Sequence, residues 1–99
     1  MDRKWMGKRE RTWIMKQFHF TVQDELGIHA RPAGLLAKEA KLYKSKITIT
    51  KNDRTVEATK LMMIMSLGVK KGEEVVVSVE GEDEEKAFEA METFFKENL

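Results

Sequence analysis

Apolar and polar positions alternate from Phe18 to Val22, with Phe18, Phe20 and Val22 on one side and His19 and Thr21 on the other. Period two over this length predicts a half-buried strand. The run Asp24-Glu25-Leu26-Gly27 ends it as a loop. The period then changes. Ala33, Leu36, Ala37, Ala40 and Tyr43 recur at helical spacing, and Pro32 sits where a first turn tolerates a missing N–H. This predicts a helix from about Arg31 to Tyr43. Lys46 to Lys51 (KITITK) alternates again, Asn52-Asp53 signals a tight turn, and Arg54 to Glu57 should return as a hairpin partner. Leu61 to Leu67 (LMMIMSL) is a short apolar run closed by Gly68, and predicts a short helix with a left-handed cap. Glu74 to Glu80 (EVVVSVE) is rich in β-branched residues and predicts a strand. After Gly81, Asp83 is placed as an N-cap, and Ala87, Phe88, Met91, Phe94 and Phe95 form an amphipathic stripe. The order β-α-β-β-α-β-α predicts an α+β domain, an antiparallel sheet with helices on one face.

Composition narrows the function classes. The chain has 99 residues and no cysteine, which excludes a disulfide scaffold, a thiolate metal site and a cysteine nucleophile. With two histidines, a structural zinc is not expected either, and no metal or other cofactor is assigned. No window approaches the ~18 apolar residues of a membrane helix, and the N-terminus lacks a signal-peptide core. A cytoplasmic protein without membrane insertion is expected. Charged residues are 35% of the chain but sum to +1, which disfavours simple electrostatic binding to nucleic acid. That total is uneven. Residues 1–14 hold five Lys/Arg against two acids, with Trp5 and Trp13 among them. They are expected to be a basic extension outside the domain, a leader, tag or upstream start, with residues 15–99 forming the domain.

Candidate chemistry centres on Gly27-Ile28-His29-Ala30-Arg31-Pro32. His29 falls just before a helix, where free backbone N–H groups (Ala30 and Arg31) favour an anion and the helix dipole favours a neutral imidazole. Arg31 supplies a planar fork of donors for phosphate oxygens. The local physics leaves three readings open: a phosphoryl acceptor, a plain anion site, or a structural cap. His19, alternating with two phenylalanines, should face solvent without a role. The five residues Leu61 to Met65 cannot all face inward on one short helix, so two or three are exposed. They form either a docking patch or an overpacked core helix. The Asp83-Glu84-Glu85 start of the last helix reads as a solvated cap, and Ser66 as a local hydrogen bonder. No phosphate-binding glycine loop is present. The strands also lack the stacking aromatics of an RNA-binding sheet.

The motif Gly27-Ile28-His29-Ala30-Arg31-Pro32-Ala33, followed by Met65-Ser66-Leu67-Gly68-Val69 and Glu80-Gly81-Glu82-Asp83-Glu84, resembles the HPr family. These are the histidine-containing phosphocarriers of the bacterial sugar phosphotransferase system. The resemblance spans Met15 to Leu99. It implies an open-faced sandwich, a four-stranded antiparallel sheet covered on one face by three helices. It implies a monomeric carrier rather than an enzyme. Enzyme I would phosphorylate Nδ1 of His29, Arg31 would hold the phosphate, and a IIA domain of a sugar permease would receive it. Partner contacts are implied at Leu61, Met62 and Met65. In many relatives a regulatory serine precedes the short helix, and here that position is Lys60. Met63 also replaces a smaller residue. Both departures keep open a regulatory paralogue that binds a partner such as a transcriptional regulator.

Overall fold

A computed structural model describes residues 15–99; the basic extension assigned to residues 1–14 lies outside the described residues. Four strands and three helices follow one another: β1 (Lys16–Thr21), α1 (Ala30–Ala40), β2 (Lys46–Lys51), β3 (Arg54–Glu57), α2 (Leu61–Ser66), β4 (Glu74–Glu80) and α3 (Glu84–Asn98). The strands make one antiparallel sheet in the order β1-β4-β2-β3. The β2–β3 hairpin turns through Asn52, whose φ of 55° is the left-handed conformation that an asparagine tolerates. β4 is an inner strand, inserted between β1 and β2, and it alternates strictly: Val75, Val77 and Val79 are fully buried. Their β-branched side chains suit a pleated surface that is covered on one side.

The helices cover that side. Leu36, Ala33 and Ala40 of α1 and Ala87, Met91 and Phe95 of α3 are buried against Ile47, Ile49 and the β4 valines. Phe95 anchors the β1 end of the core. Its ring meets Phe18, Phe20 and Phe94 edge-on, at centroid distances of 5.6, 5.4 and 6.1 Å. Edge-to-face pairs add about 0.5–1.5 kcal/mol each beyond the area they bury. The other sheet face is polar, with Gln17 bonded to Ser78 and Thr50 to Thr55 across neighbouring strands.

Three local expectations change. α1 ends at Ala40, short of Tyr43, because the chain tightens: the N–H groups of Leu42 and Tyr43 reach back to Glu39 and Ala40, three residues instead of four. Asp83 occupies the N-cap of α3 but makes no side-chain bond to the helix. Its carboxylate instead accepts from the Lys44 and Ser45 N–H groups and the Ser45 hydroxyl, fastening α3 to the start of β2. These bonds, the Ser45 hydroxyl first, hold the Asp83 carboxyl below its usual range. Glu84 is buried rather than solvated, and accepts from the Gly81 N–H as a capping residue.

Candidate functional site

The loop between β1 and α1 is bound on three sides. Gly27 donates to the Asp24 carbonyl, closing a turn, and Asp24 Oδ2 accepts from the Leu26 N–H at 3.1 Å. Ile28 is buried, and its N–H donates to the Val69 carbonyl at 3.0 Å. The Gln23 and Asp24 N–H groups both donate to the main-chain oxygen of Leu99. Lys71, from the turn before β4, pairs with Glu25 at 2.7 Å. Gly27 makes the close approach possible. Its φ is +71°, and a Cβ there would lie 2.2 Å from the Val69 oxygen.

This loop delivers His29 to the N-cap of α1 in an extended conformation. His29 is half-buried and Arg31 exposed. No side chain caps this helix end and no acid lies in its first turn. Pro32, buried, contributes no N–H, so Ala30 and Arg31 supply the first-turn backbone donors beside His29. Arg31 has no ion-pair partner among the described residues. Chemically, the arrangement combines a nucleophilic imidazole, two backbone donors and a guanidinium at the positive end of a helix dipole. Asp24 is the participant that sequence reasoning passed over: its Oδ2 lies 3.4 Å from His29 Nε2. The Asx-turn propensity of Asp-Glu-Leu-Gly was its visible signal. His19 is exposed on β1 as expected, with Glu74 3.6 Å from its Nδ1.

α2 carries the second feature. Ile64 alone of its apolar residues is buried, whereas Leu61, Met62, Met63 and Met65 are all exposed, Met62 at 74%. The exposed set therefore exceeds the two or three expected, and α2 is not an overpacked core helix. Leu35 of α1, which packs beside α2, is exposed as well. The far end of α2 is pinned from the β2–β3 hairpin. Arg54 donates to the Ser66 carbonyl and hydroxyl, and Lys51 to the Leu67 and Gly68 carbonyls. Cations at a helix C-terminus satisfy its orphan carbonyls and oppose its dipole. Ser66 is thus a local hydrogen bonder, also donating to the Met63 carbonyl. Gly68 follows with a φ of 60°, the expected left-handed cap. At the other end, Lys60 is the N-cap, without a side-chain bond to the helix. Among the described residues no cluster of metal-ligating groups occurs, and no helix is long and apolar enough to cross a membrane.

Comparison with known proteins agrees over nearly the whole described chain. The family model for the PTS HPr component phosphorylation site matches residues 16–97. The phosphocarrier protein HPr of Lysinibacillus sphaericus is 41% identical over 83 residues, 84% of this chain and 94% of that protein. The crystal structure of HPr from Bacillus anthracis superposes with a TM-score of 0.76 at 37% identity, covering 82% of this chain and 96% of that one. The Bacillus subtilis catabolite repression protein Crh, solved as a dimer with a swapping domain, gives a TM-score of 0.68 at 35% identity, covering 81% and 92%. Its element order, its sheet and these matches establish that the chain belongs to the HPr family of phosphotransferase-system phosphocarriers.

Proposed function

We propose that residues 15–99 form a phosphocarrier that accepts a phosphoryl group on His29 from phosphoenolpyruvate-charged Enzyme I and passes it to IIA domains of sugar permeases in the cytoplasm. The observation that carries this reading is the position of His29. It stands at a helix N-terminus that no side chain caps and whose first turn holds no acid, with Arg31 in that turn, inside a chain of the HPr family. The Ala30 and Arg31 N–H groups and the Arg31 guanidinium would hold the phosphoryl oxygens, so transfer would depend on alignment and charge rather than on covalent chemistry by the rest of the protein. The exposed Leu61, Met62 and Met65 would dock the donor and acceptor in turn. Methionine's flexible thioether suits one surface that serves several partners.

Incubation with Enzyme I and phosphoenolpyruvate tests the reading. Acid-labile phosphate on the wild type and none on a His29→Ala variant is the expected result. An unlabelled wild type, or equal labelling of the variant, overturns it. A regulatory paralogue is the second reading, favoured by Lys60 at the N-cap of α2 and by the likeness to Crh. It requires partner capture that survives His29→Ala and needs no phosphoenolpyruvate.

A further inference from the structure

Asp24 is placed beside His29 by bonds that owe nothing to the histidine. Its own N–H is tied to the main-chain oxygen of Leu99 at 2.8 Å, and its carbonyl accepts from Gly27 at 2.9 Å. Its Oδ2 accepts from the Leu26 N–H at 3.1 Å, which fixes the side-chain rotamer as an Asx turn. The carboxylate is therefore positioned before the imidazole is considered. The same Oδ2 lies 3.4 Å from His29 Nε2, and both side chains are about a third exposed. The neighbouring acid of the loop, Glu25, is directed away and paired with Lys71. Arg31 follows on the first turn of α1.

A carboxylate accepts hydrogen bonds and cannot donate them. Placed against Nε2, it favours the tautomer that carries the ring proton there. The lone pair then lies on Nδ1. Which nitrogen is the nucleophile is decided by which one carries the proton, and a negative charge 3.4 Å from Nε2 favours the proton there. We infer that Asp24 is a positioning residue that holds His29 in its Nε2–H tautomer, leaves Nδ1 as the nucleophile, and stabilises the positively charged ring formed when Nδ1 takes up a phosphoryl group. The inference rests on the phosphocarrier reading for its chemical step and deepens it.

The step balances without a further reactant. The Nδ1 lone pair forms the bond to phosphorus as the bond between phosphorus and the donor's leaving atom breaks, and that electron pair leaves with the donor. Nε2 keeps its proton throughout. The ring gains a positive charge next to Asp24, while the phosphoryl oxygens face the helix end and Arg31. Onward transfer reverses this. The acceptor's nucleophile bonds to phosphorus, the Nδ1–P pair returns to the ring, and His29 is again neutral with its proton on Nε2. Asp24 thus acts at both stages through the ring and touches no phosphoryl oxygen. At 3.4 Å from Nε2 the carboxylate acts on the ring through its negative charge, so removing the charge alone should be enough to expose the role.

Asp24→Asn removes the charge while retaining an oxygen that can accept from Leu26, so the turn is kept. The primary measurement is the pair of ring 15N chemical shifts of His29 in the unphosphorylated protein, at a pH where the ring is neutral. These shifts report the tautomer populations directly. Wild type should be dominated by the Nε2–H form, and in Asp24→Asn the Nδ1–H fraction should rise on the order of fivefold. Asp24→Glu, which restores a carboxylate, should recover part of the bias. Unchanged shifts in Asp24→Asn overturn the inference. A second arm follows phosphoryl transfer from Enzyme I, where Asp24→Asn should be slowed about fivefold with backbone amide shifts preserved outside the loop. An unchanged rate also overturns it. Failure of the phosphocarrier reading is distinguished from failure of this inference, because a wild type that takes no label overturns the former while the tautomer shifts still decide the latter.

Discussion

Replacing Gly27 with alanine puts the histidine loop under a strain that the structure lets one size. Two costs arise together. At a φ of +71° an alanine pays the left-handed penalty, about 1–2 kcal/mol. Its Cβ would also sit 2.2 Å from the Val69 oxygen and 2.8 Å from the Lys70 Cα. Both are backbone atoms, so no side chain can swing aside, and the loop must retreat by roughly an ångström to reach ordinary contact. The Val69 oxygen it retreats from is the acceptor of the buried Ile28 N–H. Losing that bond leaves a buried donor unmatched, about 1–3 kcal/mol. Together the expected loss is about 2–5 kcal/mol, a large share of a small domain's stability. In urea, with a slope of about 1–2 kcal/mol per molar, the midpoint should fall by about 1–5 M. Gly34→Ala is the matched control. It lies inside α1 with nothing within 4 Å of the added methyl, and should gain about 0.5–1 kcal/mol. A Gly27→Ala midpoint within about 0.5 M of wild type would refute the reasoning, since the Val69 contact would then be yielding rather than fixed.

Three further outcomes follow from other parts of the molecule. Lys60 has the extended backbone of an N-cap but no side chain able to accept from α2, so Lys60→Ser should stabilise by about 0.5–1 kcal/mol and raise Tm by about 3–6 °C in a calorimetric scan. The Asp83 carboxyl lies below its usual range through its bonds to Ser45 and Lys44. A group whose folded value is lowered contributes stability above its unfolded value, and that contribution is lost as pH falls through the folded one. Urea midpoints taken from neutral pH down to about 2 should therefore show Asp83→Asn less stable at neutral pH, with the gap to wild type narrowing below about pH 4. Met62, the most exposed residue of α2's patch, should leave stability within about 0.5 kcal/mol when changed to Asp, yet raise the KM for carrier in Enzyme I-dependent phosphorylation about tenfold.

Much of the fold was visible as periodicity. The alternation in Lys46 to Lys51 and Glu74 to Glu80, and the stripe from Ala87 to Phe95, register a local rule: each side chain's direction follows from its own backbone. The bounds of β2, β3 and β4 agree with that rule residue for residue. Asp83 shows where the rule stops. Its sequence neighbourhood says helix cap, but its partners lie 38 and 39 residues away, and a bond across the fold displaced the local one. α1 stopped short of Tyr43 for a different reason: the N–H groups of Leu42 and Tyr43 reach back only three residues, a tightening that the apolar spacing does not register because Tyr43 still packs against the core.

The candidate site divides along the same line. The order of chemical groups along the chain was enough to single out His29, with Arg31 and two backbone donors after it, because a helix N-terminus is a local object. The exposure of α2 was also legible, since six residues of helix cannot bury five apolar side chains on one face. Only the tertiary structure decided that Asp24 faces Nε2, that Val69 meets Gly27 without room for a methyl, and that Lys51 and Arg54 clamp the end of α2. Those contacts join loops and a hairpin brought together by a sheet that closes only when β4, nearly the last element of the chain, inserts between β1 and β2. Local sequence sets which groups are offered, and the closure of that sheet sets the distances between them.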